Sequence, residues 1–217
     1  SYKNGVRAAR KANDSNLESN IYNNLSGFIV KRGKHKLAMQ IIEKSIEQKK
    51  LTNDIRGIGF ATYGRGKVYL RQKNFQKAEE DFKEAMRIHT EMGDIMGLSM
   101  CYTKLGELYN KLENYDTALN YARQGIELTK KHNITMINIK LYNLVYTIYK
   151  IQNKTDLALE NLEYYIKEKE AVIDLQTQKV IENYDLILKM KTLEKEAELQ
   201  MQKQILLEKK SKDDIKA

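Results

Sequence analysis

The chain repeats itself every forty residues, and no other feature constrains its fold as strongly. Steps of forty from Ala118 land on Ala38, Ala78 and Ala158. From Tyr109 they land on Ile29, Tyr69 and Tyr149, from Leu105 on Leu25, Arg65 and Val145, and from Gly106 on Ser26, Gly66 and Tyr146. Punctuation recurs at the same interval, as Asn13-Asp14, Asn53-Asp54 and Gly93-Asp94, decaying to Asn133-Ile134. Asn or Gly suits the left-handed residue that ends one helix, and Asp suits the cap that opens the next. Each unit therefore reads as two helices. In the third copy they run from about Asp94 to Leu112 and from about Asp116 to Lys131, with "ENYD" as the tight turn between them. A lone helical hairpin cannot cover its own apolar face, so successive copies must stack. Small residues such as Gly66, Gly106, Ala78 and Ala118 then mark close helix crossings, and Tyr69, Tyr109 and Tyr149 fill the space between pairs.

The third copy carries Leu105, Gly106, Tyr109, Tyr115, Ala118 and Tyr121, and the second Gly66, Tyr69, Phe75, Ala78, Phe82 and Ala85. This pattern resembles the tetratricopeptide repeat. It departs from that family's usual period of about 34 residues and lacks its terminal proline. The extra length resembles the long-helix variety found in bacterial regulators. The resemblance implies an all-α fold, a right-handed superhelical solenoid of antiparallel helix pairs with a long C-terminal helical extension. The units fall at about 19–58, 59–98, 99–138 and 139–178, after a partial repeat at 1–18, with a capping or linker helix at 179–217.

The ends extend the pattern. "GVRAARKAND", Gly5 to Asp14, aligns with "GIELTKKHNI", Gly125 to Ile134, which places the start inside the second helix of an earlier repeat. The expectation is that the natural protein reaches further toward its N-terminus. From Leu162 to about Lys210 there is no Gly, no Pro and no turn cluster, so one or two long helices follow the array. Leu186, Met190, Leu193 and Ala197 keep 3-4 spacing, but Gln200 and Gln204 interrupt the coiled-coil heptad. A capping helix on the last repeat followed by an exposed helix is expected, and that helix is a candidate seam for a homodimer. The layout resembles bacterial sensors in which such repeats run through a helical linker into an output domain.

Charge and chemistry narrow the function. The formal charge is +9, and residues 1 to 50 hold eleven basic against four acidic side chains, or +7. A basic end can attract acidic partners. No interleaved aromatic-basic motif accompanies it, so this segment is not expected to bind nucleic acid directly. His35, His89 and His132 lack metal-ligand spacing, and His35 takes the turn position held by Phe75 and Tyr115. The single cysteine, Cys101, reads as a small buried thiol. "GIGFATYGRGK", Gly57 to Lys67, lacks the spacing, the Lys-Ser or Lys-Thr pair and the strand of a phosphate loop. Glu79-Glu80 reads as a solvated face. No cofactor and no catalysis are expected, and the compartment is left open.

In the family resembled, the first helix of each hairpin lines a concave surface. One turn away from the packing residues, that face would present Asn20, Asn23 and Lys31 from the first copy and Tyr63, Lys67 and Arg71 from the second. Thr103, Glu107, Asn110 and Lys111 would follow from the third, and Asn143, Thr147 and Lys150 from the fourth. Asparagines can donate to and accept from a peptide backbone at once, and the cations favour acidic side chains or a terminal carboxylate. The expected partner is a protein or peptide segment, with an acidic one favoured by the cations. The expected role is a non-enzymatic sensing or scaffolding module of a bacterial signalling or transcription regulator. A ligand-switched regulator of the peptide-pheromone type and a plain assembly scaffold are the alternatives.

Overall fold

The computed structural model describes residues 7, 8, 11, 21, 24–30 and 32–214, with side chains through Gln204. Asn20, Asn23, Lys31, the Asn13-Asp14 pair and most of the partial repeat at 1–18 lie outside the described residues. The described chain is helical, without a strand: α1 (24–30), α2 (His35–Leu51), α3 (Ile55–Arg71), α4 (Phe75–Glu91), α5 (Ile95–Lys111), α6 (Tyr115–Lys131), α7 (Thr135–Ile151) and α8 (Thr155–Asp214).

The structure reveals a half-period inside the forty-residue repeat. Helices α2 to α7 are each 17 residues long. Residues in the left-handed region recur every twenty positions, at Gly33, Asn53, Lys73, Gly93, Glu113, Asn133 and Asn153. Gly and Asn are easy occupants of positive φ, whereas Lys73 (φ 60°) and Glu113 (φ 60°) adopt it at some steric cost. A cap follows directly. Asp54, Asn74, Asp94 and Asn114 each accept a backbone N–H three residues on, from Gly57, Lys77, Gly97 and Thr117. Ile134 cannot, and α7 starts without a side-chain cap.

Successive helices pack as antiparallel hairpins, and the first helices of neighbouring pairs also touch, α3 on α5 and α5 on α7. Ala38, Ala78 and Ala118 are completely buried and Ala158 nearly so, which sets the close crossings. Gly66 and Gly106 serve the same purpose. A Cβ on Gly66 would come within 2.8 Å of the Phe82 ring, and one on Gly106 within 2.8 Å of Leu144 Cδ2. Tyr109 stacks on Tyr121 at 5.6 Å between centroids, and its hydroxyl donates to Glu79 at 2.6 Å. Glu79, read from sequence as part of a solvated face, is therefore a tie from α4 to α5, also gripped by Lys83 at 2.5 Å. Cys101 is buried, and loss of solvent pushes its thiol pKa up to about 12, so it is a neutral core residue.

Polar side chains occupy the corners where one pair meets the next. Lys49, 1% exposed, donates to Asp54 at 2.8 Å. One repeat later His89 takes the Lys49 position and Asp94 the Asp54 position, 3.2 Å from His89 Nδ1 to Asp94 Oδ2, with Arg56 reaching Asp94 at 2.9 Å. One further on, the Thr129 hydroxyl meets the Asn138 carbonyl oxygen. A Cβ on Gly97 would fall on the His89 imidazole, so the glycine there makes room for the ring.

The chain divides into two compact units, Ser1–Glu168 and Lys169–Ala217, so the first ends inside α8. In the first unit Ala158 is buried, and Tyr164 stacks on Tyr142 at 5.1 Å. In the second, helix continues to Asp214, and Ile173, Val180, Tyr184, Ile187 and Met190 are all at least half exposed. Among the described residues no helix is long and apolar enough to cross a membrane.

Candidate peptide-binding groove

The first helices of the pairs enclose a cavity of about 1130 Å³ in the repeat unit, bordered by α1, α3, α5 and the turn into α4. Its wall from α3 is Phe60, Tyr63, Gly64, Lys67, Leu70 and Arg71, at the 3-4 spacing of one helical face. Met100, Lys104, Glu107 and Lys111 repeat that face forty residues later on α5, and Lys73 and Phe75 close one end. α1 contributes Asn24, Ser26, Gly27, Phe28 and Val30.

The lining carries five cations, Lys67, Arg71, Lys73, Lys104 and Lys111, against one carboxylate, Glu107, a balance of +4. Glu107 is already held by Lys104 one turn earlier on α5. Lys67 Nζ lies 4.9 Å above the Tyr63 ring. Burial drives the Tyr63 hydroxyl pKa well up, so it stays a neutral hydrogen-bonding group. Arg71 and Lys111 are exposed in the last turns of α3 and α5, where cations also complement the helix dipole. The Phe60 ring meets the buried His89 edge-on at 4.6 Å, which fixes that wall.

Tyr63, Lys67, Arg71, Glu107 and Lys111 thus come together as forty-residue stepping suggests. Thr103 does not join them. It is buried and donates to Ser99 O at 3.0 Å, although its register partner Tyr63 lines the cavity. Asn110 is half-buried and outside the lining. Asn143, Thr147 and Lys150 belong to α7, which does not border the cavity. The Thr147 hydroxyl donates to Asn143 O at 2.7 Å, and Lys150 Nζ lies 5.9 Å from the Tyr146 ring. Sequence reasoning missed Phe60, Gly64, Met100 and Lys104. The signal was available, since 60 to 100 and 64 to 104 are both steps of forty.

Paired helices of equal length, left-handed terminators and small residues at every crossing define the repeat. Residues 57–131 match the model of the tetratricopeptide repeat family. The cavity's α3 and α5 walls both lie in this tetratricopeptide stretch. A curated relative, the uncharacterized protein ycf37 of Guillardia theta, is 27% identical over 123 residues, 56% of this chain and 66% of that protein. Among solved structures, the fold is similar to aspartyl phosphate phosphatase F from Bacillus subtilis, with a TM-score of 0.73 and 16% identity over 80% of this chain. The chain spans 45% of that structure's length. A Rap protein complexed with competence and sporulation factor aligns with a TM-score of 0.57 and 14% identity, over 78% of this chain and 57% of its own. At such identities the likeness shows the tetratricopeptide-like solenoid alone.

Proposed function

We propose that this chain is a non-catalytic interaction module whose concave groove holds an acidic protein or peptide segment, as the sensing or scaffolding part of a bacterial signalling or transcription regulator. One observation carries the reading: a cavity of about 1130 Å³ walled by repeat helices, with five cations and a single carboxylate that a lysine already neutralises. Such a surface attracts anionic chains, and the tyrosine, phenylalanine and methionine side chains of the lining add apolar contact. The array at 1–178 would bind, and 179–217 would connect it to an output or pair with a second copy.

A second reading is a regulator switched by a small peptide ligand. The likeness to a Rap protein solved with competence and sporulation factor favours it.

A peptide-library pull-down at low salt, repeated at high salt and with Arg71→Glu/Lys111→Glu, tests the proposal. Enrichment of acidic peptides that fades with salt and with the double reversal is expected, because exposed charges are screened beyond about 8 to 10 Å at physiological ionic strength. Enrichment without acidic bias, or unchanged by the reversal, would place binding elsewhere.

A further inference from the structure

The two ends of the groove differ in chemistry. At the end nearer the helix N-termini stand Phe60 and Met100, one register position apart by forty, both half-buried. At the other end Arg71, Lys73 and Lys111 converge, and none of the three carries an ion pair among the described residues. Between them lies Glu107, held by Lys104, the one carboxylate in the lining. Midway, Lys104 and Glu107 offset each other, whereas the three cations at the end face no carboxylate of the lining, which makes that end the strongest seat for acid.

The separation follows from helix geometry. Phe60 and Arg71 are eleven residues apart on one straight helix, about 16 Å at about 1.5 Å per residue. An extended peptide covers that distance in about five residues at about 3.3 Å each. Phe60 is braced edge-on against His89, so the apolar seat is formed before any ligand arrives.

We propose that the groove recognises a spaced pair of features on one extended segment: an aliphatic or aromatic side chain seated at Phe60 and Met100, and an acidic group about five residues away seated at Arg71, Lys73 and Lys111. This rests on the reading of the groove as a peptide site and adds its spacing rule. The chain's own C-terminal unit is a poor occupant by charge. Residues 169 to 217 hold ten basic and ten acidic side chains and offer the cationic end no net attraction.

The test uses fluorescein-labelled peptides of identical composition, each with one leucine and one Asp-Asp pair in a Gly-Ser background. In one peptide the leucine and the acidic pair are about five residues apart, and in the other they are adjacent. Fluorescence anisotropy at low salt should show the spaced peptide binding about tenfold tighter, the worth of one seated aliphatic side chain. Phe60→Ala should erase that difference while both peptides still bind. Should that variant loosen the contact with His89, Met100→Gln removes the opposite wall. Arg71→Glu/Lys111→Glu should weaken both peptides together. Equal binding of the two peptides would overturn the spacing rule and leave the acidic groove standing. A spaced preference that survives both Phe60→Ala and Met100→Gln would also overturn it. Failure of both peptides to bind would overturn the acidic groove itself.

Discussion

Arg56 in α3 donates from Nε to Asp94 Oδ2 at 2.9 Å, tying one helix pair to the cap that opens the next. The same carboxylate accepts the Gly97 amide through Oδ1 and faces the buried His89 ring. One aspartate therefore serves as helix cap, inter-repeat ion pair and neighbour of a titratable core group.

Acid should loosen this corner in two steps. Burial holds the His89 pKa below its ordinary value of 6.5, against the pull of Asp94 and with a small push from Arg56. In the window just below 6.5 the unfolded chain binds a proton that the folded one refuses, so stability falls with pH there. Burial alone would raise the Asp94 pKa, but Arg56 and the Gly97 amide outweigh it and hold the carboxyl below 3.8. That contribution is present above the ordinary value and is lost as pH drops through the lowered one. Thermal melts between pH 7.5 and pH 5 should fall more steeply for the native protein than for His89→Leu. Equal slopes would show that this ring does not govern the corner.

Alanine should have opposite effects at two helical glycines. At Gly27 a Cβ would meet nothing within 4 Å, and the gain in helix propensity should stabilise by about 0.5 to 1 kcal/mol. At Gly66 a Cβ would press on the buried Phe82 ring, and overpacking of about 1 to 3 kcal/mol should outweigh that gain. Urea unfolding midpoints of Gly27→Ala and Gly66→Ala should move in opposite directions. Movement in the same direction would contradict the packing at Gly66.

Ala118 is completely buried beside Gly106, whose added Cβ would lie 3.5 Å from the Ala118 carbonyl oxygen. Ala118→Leu should cost about 1 to 3 kcal/mol by forcing that crossing apart. A midpoint equal to that of the native protein would mean the helices do not cross there.

Amide exchange should divide the chain. Tyr102 to Ala122 span two helices packed on both neighbours, whereas every described residue from Leu193 to Gln204 is exposed. An isolated helix with little apolar burial opens readily. Exchange from Leu193 onward should outpace that of Tyr102 to Ala122 by orders of magnitude. Comparable protection in both segments would reveal pairing of the C-terminal helix with a partner.

Much of the fold was legible because its signals are local. Asn53, Gly93 and Asn133 adopt left-handed φ, and Asp54 and Asp94 cap, through bonds that reach only three to five residues along the chain. Their spacing in sequence is their spacing in structure. The half-period of twenty was hidden because two of the four turns within pairs use Lys73 and Glu113, which do not advertise positive φ as Gly33 and Asn153 do. For the C-terminal stretch, the lack of Gly and Pro allowed one or two helices, and the structure has one, α8.

The groove was legible only in part. Residues forty apart share a position on their helices, but what covers that position depends on the neighbouring helix. Tyr63 and Thr103 occupy one register, yet only Tyr63 reaches the cavity, while Thr103 is buried and turned back onto Ser99. The sequence by itself determined where the central helices begin, end and cross their partners, because caps, terminators and small residues act through contacts a few residues long. Which stripe of α3 and α5 stays open, and that Phe60, Met100 and Lys104 lie on it, was decided by the stacking of pairs. Side-chain size at distant positions sets how closely those helices approach, and no period in the sequence records that distance.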